Sequence, residues 1–157
     1  MDSLDETTRS PSTASAQPAG AAARRGAVAV IQRHGRLLVI RRSQWVVAPG
    51  AFCFPGGGIE AEETEQQALV RELREELNVD VRPCTLVWRS VTKWNVELAW
   101  WQAALPEGVL PRPMPEEVES VHWHTPQEML DLPGLLDSNR EFLAALARGE
   151  IRLADNT

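Results

Sequence analysis

A dense run of glutamates between Glu60 and Glu76 is the part of this sequence best suited to chemistry. It holds seven glutamates against two arginines, so these seventeen residues carry a net charge of −5, when the whole chain carries −6. Carboxylate oxygens are the ligands that Mg²⁺ and Mn²⁺ prefer in proteins. The run is therefore either a divalent-metal site or a solvated acidic surface, which is what most charge runs are.

The spacing of the leucines places part of this run on a helix. Leu69, Leu73 and Leu77 recur at i, i+4 and i+8, which predicts an amphipathic helix from Glu63 to Leu77. At about 100° per residue, three carboxylates then follow the edge of the apolar face. These are Glu72, Glu75 and Glu76.

Two electrostatic penalties weigh against a purely solvated surface. Glu72 and Glu76 are like charges at i and i+4, a spacing that costs a helix a few tenths of a kcal/mol. Glu75 and Glu76 lie in the last turn, at the negative end of the helix dipole, where a cation would be favourable and an acid is not. A bound divalent cation would remove both penalties, so the residues by themselves leave both the metal site and the solvated surface open.

The residues around these carboxylates resemble the Nudix box, the signature of hydrolases that act on a nucleoside diphosphate linked to another moiety. Eight of its nine defined positions agree. The departure is Asn78, where the family pattern has Gly; Asn is the next most tolerated residue in the left-handed conformation that ends a helix. In this chain the motif reads Gly57-x5-Glu63-x7-Arg71-Glu72-Leu73-x-Glu75-Glu76-x-Asn78-Val79.

The resemblance implies a role for each matching position. Glu63 and Arg71 match an ion pair that braces the loop against the helix, and the backbone carbonyl of Gly57 matches a further metal ligand. The implied cofactor is Mg²⁺ or Mn²⁺, which neutralises diphosphate oxygens and activates a water for attack on phosphorus. The positions that match the family's metal-binding carboxylates are Glu72, Glu75 and Glu76.

The sequence does not decide which residue is the catalytic proton acceptor or whether an aromatic residue stacks on a nucleobase. In this family the base is a glutamate of the box or one from a distant loop, and Glu116 and Glu117, which follow a proline-rich loop, are candidates for the second source. The alternative for both is a solvated loop. Trp45, in the loop before the box, either stacks on a nucleobase or packs under its own loop.

The resemblance also bounds the substrate. It implies a small nucleotide-type molecule, and the short domain looks most similar to the nucleoside triphosphate pyrophosphohydrolases, including those that clear oxidised nucleotides. The chain has no tyrosine, which disfavours the dinucleoside polyphosphate hydrolases, and no Ser-Gln-Pro-Trp-like array, which disfavours the NADH-cleaving group. The alternative function is a non-catalytic nucleotide-binding or regulatory module on the same fold.

Strand-like runs surround the central helix, and two helices near Pro126 to Leu132 and Asn139 to Arg148 end the chain. The predicted fold class is α+β, a Nudix-like α/β/α sandwich with a mixed sheet between helices. Residues 1–23, rich in Ser, Thr, Ala and Pro, are predicted to be a disordered tail, and residues 24–157 a single domain. The predicted strands are Ala27 to Arg33, Arg36 to Arg42, Phe52 to Phe54, Val81 to Val91, Lys93 to Ala104 and Val118 to His124.

Composition excludes several other classes of protein. The chain has 157 residues, a net charge of −6 and one lysine, so a surface for duplex nucleic acid is not expected. No apolar stretch reaches the length of a membrane span, and no export signal opens the sequence, so we expect a cytoplasmic protein, monomeric or homodimeric. Cys53 and Cys84 are expected to be buried thiols without a disulfide.

Overall fold

The computed structural model describes residues 24–155 of the chain. The tail predicted for residues 1–23 therefore lies outside the described residues. Within the described residues, eight strands and three helices follow one another, most of them where the sequence predicts them. In chain order they are β1 (Arg24–Val30), β2 (Gln32–Arg33), β3 (Arg36–Arg42), β4 (Phe52–Cys53), β5 (Gly56–Gly58), α1 (Glu65–Leu77), β6 (Arg82–Val91), β7 (Val96–Ala104), β8 (Val118–His124), α2 (Pro126–Leu130) and α3 (Asp137–Ala147).

The strands form two four-stranded sheets. The first has the order β5-β1-β7-β6, in which β1 and β7 run parallel and the other pairs are antiparallel. In the second, β3 pairs with β2 and β4 along one edge and with β8 along the other. The first sheet is mixed, as predicted, but the strands are divided between two sheets.

Helices cover these sheets on both sides. The β1 residues Ala27 and Ala29 pack in one core cluster with Leu69 and Leu73 of α1. Their neighbours in the strand point the other way, into a second cluster that contains Phe142 of α3. Both faces of β1 are therefore buried, and the predicted α/β/α sandwich is confirmed.

The prediction of a single strand from Ala27 to Arg33 is wrong, because this segment is divided between β1 and β2. The chain leaves the first sheet at Ile31, whose carbonyl accepts from the Leu38 amide at 2.9 Å, and Gln32 pairs with Leu37 of β3 in the second sheet. The predicted turn is present, with positive φ at both His34 and Gly35 (54° and 76°), as a two-residue hairpin loop of type I′ requires.

Helix α1 begins two residues later than predicted. The Thr64 side chain accepts from the Gln67 amide, and the Gln67 side chain accepts from the Thr64 amide, so Thr64 caps the helix and Glu63 stays in the preceding loop. The helix ends at Asn78, which adopts the left-handed conformation (φ 53°, ψ 44°) and donates to the Arg74 carbonyl at 3.0 Å.

The two cysteines differ in exposure, which corrects one prediction. Cys53 is buried, but Cys84 is exposed. Strand β6 is the outer strand of its sheet, and Cys84 is the extra residue between two paired positions, Pro83 and Thr85. Such a bulge breaks the alternation of the strand, so the pattern misplaces the side chain. No disulfide joins the two thiols, and no helix within residues 24–155 has the length and apolarity to cross a bilayer.

Candidate active site

Strand β5 lies against the carboxylates of α1. The Gly56 amide donates to Oε1 of Glu76 at 3.0 Å, and a Cβ at Gly57 would overlap the Glu72 carboxyl group. Gly57 pairs with Ala27 of β1, which fixes the strand in the first sheet. The glycines of the motif therefore let the backbone approach two buried carboxylates closely.

Arg71 ties the preceding loop to the helix. Its Nε donates to Oε2 of Glu63 at 2.7 Å and its Nη2 to Oε1 at 3.0 Å, so the two residues form a bidentate ion pair. The same guanidinium donates to the Gly58 carbonyl and, at 2.9 Å, to Oε2 of Glu72. The hydrogen bond from Arg71 lowers the pKa of Glu63. Arg71 thus orients one of the buried carboxylates.

A third carboxylate reaches the site from the segment before β8. One oxygen each of Glu72, Glu76 and Glu117 lie within 4.8 Å of one another. The Met114 amide donates to the Glu76 carbonyl, and the Glu117 amide donates to the Met114 carbonyl, both at 2.9 Å. This segment is therefore attached to the last turn of α1. The neighbouring Glu116 is exposed and is not part of the cluster.

The protein surroundings disfavour full ionisation of this cluster. Burial raises the pKa of Glu72 to about 8, against the opposing effect of Arg71. Burial and the charge of Glu72 raise the pKa of Glu76 well above its usual value, and burial and Glu75 raise that of Glu117. Among residues 24–155, Oε1 of Glu72 is buried without a hydrogen-bond partner. An all-oxygen donor set with an orphaned carboxylate oxygen fits a hard divalent cation.

Glu75 and Trp45 lie outside this cluster. The Glu75 side chain is 37% exposed and lies 3.4 Å from Nη1 of Arg71. The Trp45 side chain is 74% exposed and lines a cleft of about 390 Å³ with Pro113 and Pro115, so it does not pack under its own loop. The cleft includes residues on both sides of Glu117.

Two buried residues beside the site were missed from the sequence. Nε of Arg42 donates to the Val47 carbonyl at 2.7 Å, and its charge lowers the pKa of Glu76 and Glu117 against their burial. Ser43, buried next to it, contacts the backbone of the Glu116–Glu117 segment. The alternation of side chains along β3 could have indicated that Arg42 is buried, because it lies on the same strand face as the core residue Ile40.

Comparisons with known proteins agree with this geometry. A family model described as the NUDIX domain matches residues 21–146. The chain is 33% identical over 108 residues to the CTP pyrophosphohydrolase of Escherichia coli (strain K12), over 67% of this chain and 78% of that protein. It is 40% identical over 58 residues to the 8-oxo-dGTP diphosphatase of Proteus vulgaris, over 37% of this chain and 52% of that protein.

Similarity extends to solved structures. The solution structure of the E. coli ORF135 protein superposes with a TM-score of 0.67 and 26% sequence identity, over 84% of this chain and 94% of that one. The family match spans the elements from β1 into the last turn of α3 and includes every carboxylate of the site. The glutamate helix, the glycine strand beside it and these similarities lead to one conclusion: the chain belongs to the Nudix hydrolase family.

Proposed function

We propose that this protein hydrolyses a pyrophosphate bond of a nucleoside triphosphate, with Mg²⁺ or Mn²⁺ bound by Glu72 and Glu76. Nudix hydrolases generally use divalent metals. The observation that carries the proposal is the convergence of three buried or half-buried carboxylates with an unpartnered oxygen on Glu72. Glu75 and the Gly57 carbonyl, which match the family's remaining ligands, complete the proposed donor set.

When bound, the cation supplies charge neutralisation at the phosphate oxygens and lowers the pKa of a coordinated water. Glu117 is the proposed general base, because a carboxylate whose pKa is raised towards neutrality accepts a proton more effectively. Arg71 holds Glu72 in place through its 2.9 Å hydrogen bond, and Glu63 in turn holds Arg71. Trp45, exposed beside the cleft, offers a face on which a nucleobase stacks.

The relatives narrow the substrate class under this proposal. Their names specify a CTP pyrophosphohydrolase and an 8-oxo-dGTP diphosphatase, both of which act on nucleoside triphosphates. We therefore propose a nucleoside triphosphate substrate, with oxidised bases included in the class. Binding of the same nucleotides without cleavage would instead identify a regulatory module on this fold.

The test combines a substrate panel with two isosteric variants. Wild-type protein, Glu72→Gln and Glu76→Gln are assayed with Mg²⁺ against CTP, 8-oxo-dGTP and the ordinary nucleoside triphosphates, and pyrophosphate release is measured. We expect turnover of at least one triphosphate by the wild type, and a loss of about a hundredfold or more in each variant, because each removes a charge that holds the cation. Glu141→Gln, on the exposed face of α3, is the matched control and retains full activity.

Two outcomes contradict the proposal in different ways. Near wild-type turnover in both variants removes Glu72 and Glu76 from the reaction. Saturable nucleotide binding by the wild type, with no phosphate or pyrophosphate released from any triphosphate, favours the regulatory module.

A further inference from the structure

The loop that carries Trp45 is closed at its base beside the carboxylate cluster. It connects β3 to β4, and its ends are joined by two hydrogen bonds, from the Arg42 amide to the Ala51 carbonyl at 2.8 Å and from the Gly50 amide to the Arg42 carbonyl at 2.9 Å. Ser43 is the first residue after this closure, and only 3% of its surface is exposed. It therefore has a fixed position at the point where the loop leaves the sheet.

Ser43 makes three hydrogen bonds that join the Trp45 loop to the Glu117 segment. Its amide donates to the Glu117 carbonyl at 3.1 Å, and its hydroxyl donates to the Glu116 carbonyl at 3.0 Å. The same hydroxyl accepts from the Trp45 amide at 3.2 Å. One small side chain thus contacts both the backbone that carries the proposed general base and the backbone that carries the exposed tryptophan.

The Glu117 segment is also attached to α1 and, through the pairing of Val118 with Arg42, to β3. On its far side, the Met114 amide donates to the Glu76 carbonyl, and the Val118 amide donates to the Met114 carbonyl at 2.8 Å. On the near side, the register between β3 and β8 shifts between Arg41 and Arg42. Bulges of this kind redirect a side chain and interrupt regular pairing. Ser43 therefore anchors the segment where the regular ladder is interrupted.

We propose that Ser43 is a positioning residue, which holds the Glu116–Glu117 backbone against the Trp45 loop so that the Glu117 carboxylate stays beside Glu72 and Glu76. The inference rests on the proposed function, in which Glu117 accepts a proton from the attacking water. Ser43 acts only through the backbone of Glu116 and Glu117. Its hydroxyl also makes the position of Glu117 depend on the conformation of the Trp45 loop.

A double-mutant cycle tests this role. We expect Ser43→Ala to lower kcat about tenfold, because a small displacement of a catalytic group is costly, and to change the Mg²⁺ concentration for half-maximal rate by less than twofold. In a Glu117→Gln background the same change lowers kcat by less than twofold, because the group that Ser43 positions is already absent. Equal factors in the two backgrounds, or an unchanged kcat in Ser43→Ala, overturn the proposal.

A matched control separates this role from a general loss of stability. The Thr92 hydroxyl is also buried and accepts from two backbone amides, those of Trp94 and Val96, in the turn between β6 and β7. Thr92→Ala therefore removes a comparable hydroxyl from another turn, and its kcat stays within twofold of the wild type. A loss of kcat equal to that of Ser43→Ala would assign the effect to stability and contradict the proposal.

Amide hydrogen exchange supplies a readout that does not depend on catalysis. In Ser43→Ala we expect faster exchange at the Trp45 amide and across residues 114–118, and unchanged exchange within α1. Unchanged exchange at all these amides overturns the anchoring role. Because exchange is measured without substrate, absence of hydrolysis in the wild type would refute the proposed function and still leave the anchoring by Ser43 tested.

Discussion

Glu72 is completely buried, and the fold gives it Arg71 as a hydrogen-bonded counter-charge but leaves one of its oxygens without a partner. Its pKa is about 8, against an ordinary value of 4.5. Between these two pH values the folded state therefore holds a proton that the unfolded state has released. Because the folded state binds more protons in this window, the free energy of unfolding of the metal-free protein falls as pH rises.

This protonation predicts a contribution to the pH dependence of stability that a single substitution removes. Relative to the wild type, Glu72→Gln becomes more stable with increasing pH between 5 and 8, by at most about 1.4 kcal/mol per pH unit. The measurement is urea unfolding of both proteins in EDTA at several pH values. The comparison cancels the opposite effect of His122, whose pKa burial lowers. Parallel pH profiles for the two proteins would contradict the assigned protonation.

The sequence specifies some residues of the site better than others. Glu63 and Arg71 come from one continuous motif, in which spacing alone determines position. Glu116 and Glu117 could not be distinguished in this way, because they are adjacent and chemically identical; they differ only in burial, which depends on how the segment packs against α1. Ser43 has no signal of its own, since its role depends on a contact with residues more than seventy positions later.

At the scale of the element, Asn78 determines how α1 ends. It adopts the left-handed conformation, in which a side chain with a Cβ is strained. Asn tolerates this conformation better than other residues with a Cβ, and Gly tolerates it best. Asn78 therefore provides a left-handed end for α1 without a glycine.

Two substitutions at this position have opposite expected effects. Asn78→Ala lowers the free energy of unfolding by about 1 kcal/mol, because alanine pays the left-handed strain without the compensation available to Asn. Asn78→Gly leaves it equal or raises it by a few tenths of a kcal/mol. Chemical denaturation of the three proteins provides the measurement, and an Asn78→Ala protein as stable as Asn78→Gly would show that the end of α1 is not strained.

The elements were predictable to different degrees for a physical reason. Helix α1 shows a clear leucine period because only one of its faces is buried. Residues 27–31 and 37–40 are buried on both faces of β1 and β3, so both stretches are apolar and contain no alternation that would reveal a change of sheet at Ile31. The turn at His34 and Gly35 was predictable because its residues must adopt positive φ.

At the scale of the molecule, the site joins parts of the chain that are distant in sequence. Gly57 comes from the edge of one sheet, Glu72 from α1 and Glu117 from the segment that leads into the other sheet. The concentration of charge between Glu60 and Glu76 includes Glu72 but neither Gly57 nor Glu117. A cation held by the Gly57 carbonyl and Glu72 would tie the edge of the first sheet to α1.

Metal binding is therefore expected to stabilise the whole fold. A ligand that binds the native state at a hundred times its Kd adds about 2.7 kcal/mol, so Mg²⁺ or Mn²⁺ in low salt raises the Tm of the wild type. Glu76→Gln abolishes most of this shift, and Glu141→Gln retains it. Thermal denaturation with and without each cation provides the measurement; an equal shift in all three proteins would place the bound cation elsewhere.

The unequal exposure of the two cysteines has a practical consequence. A thiol-reactive dye added to the native protein has access to Cys84, which protrudes from the bulge of β6, and is excluded from Cys53 by the core. Cys53 precedes Phe54 and the glycine strand that supports the carboxylates. Attachment of a second dye to a chain therefore requires the core beside the site to open, and the rate of that second attachment measures how often it opens.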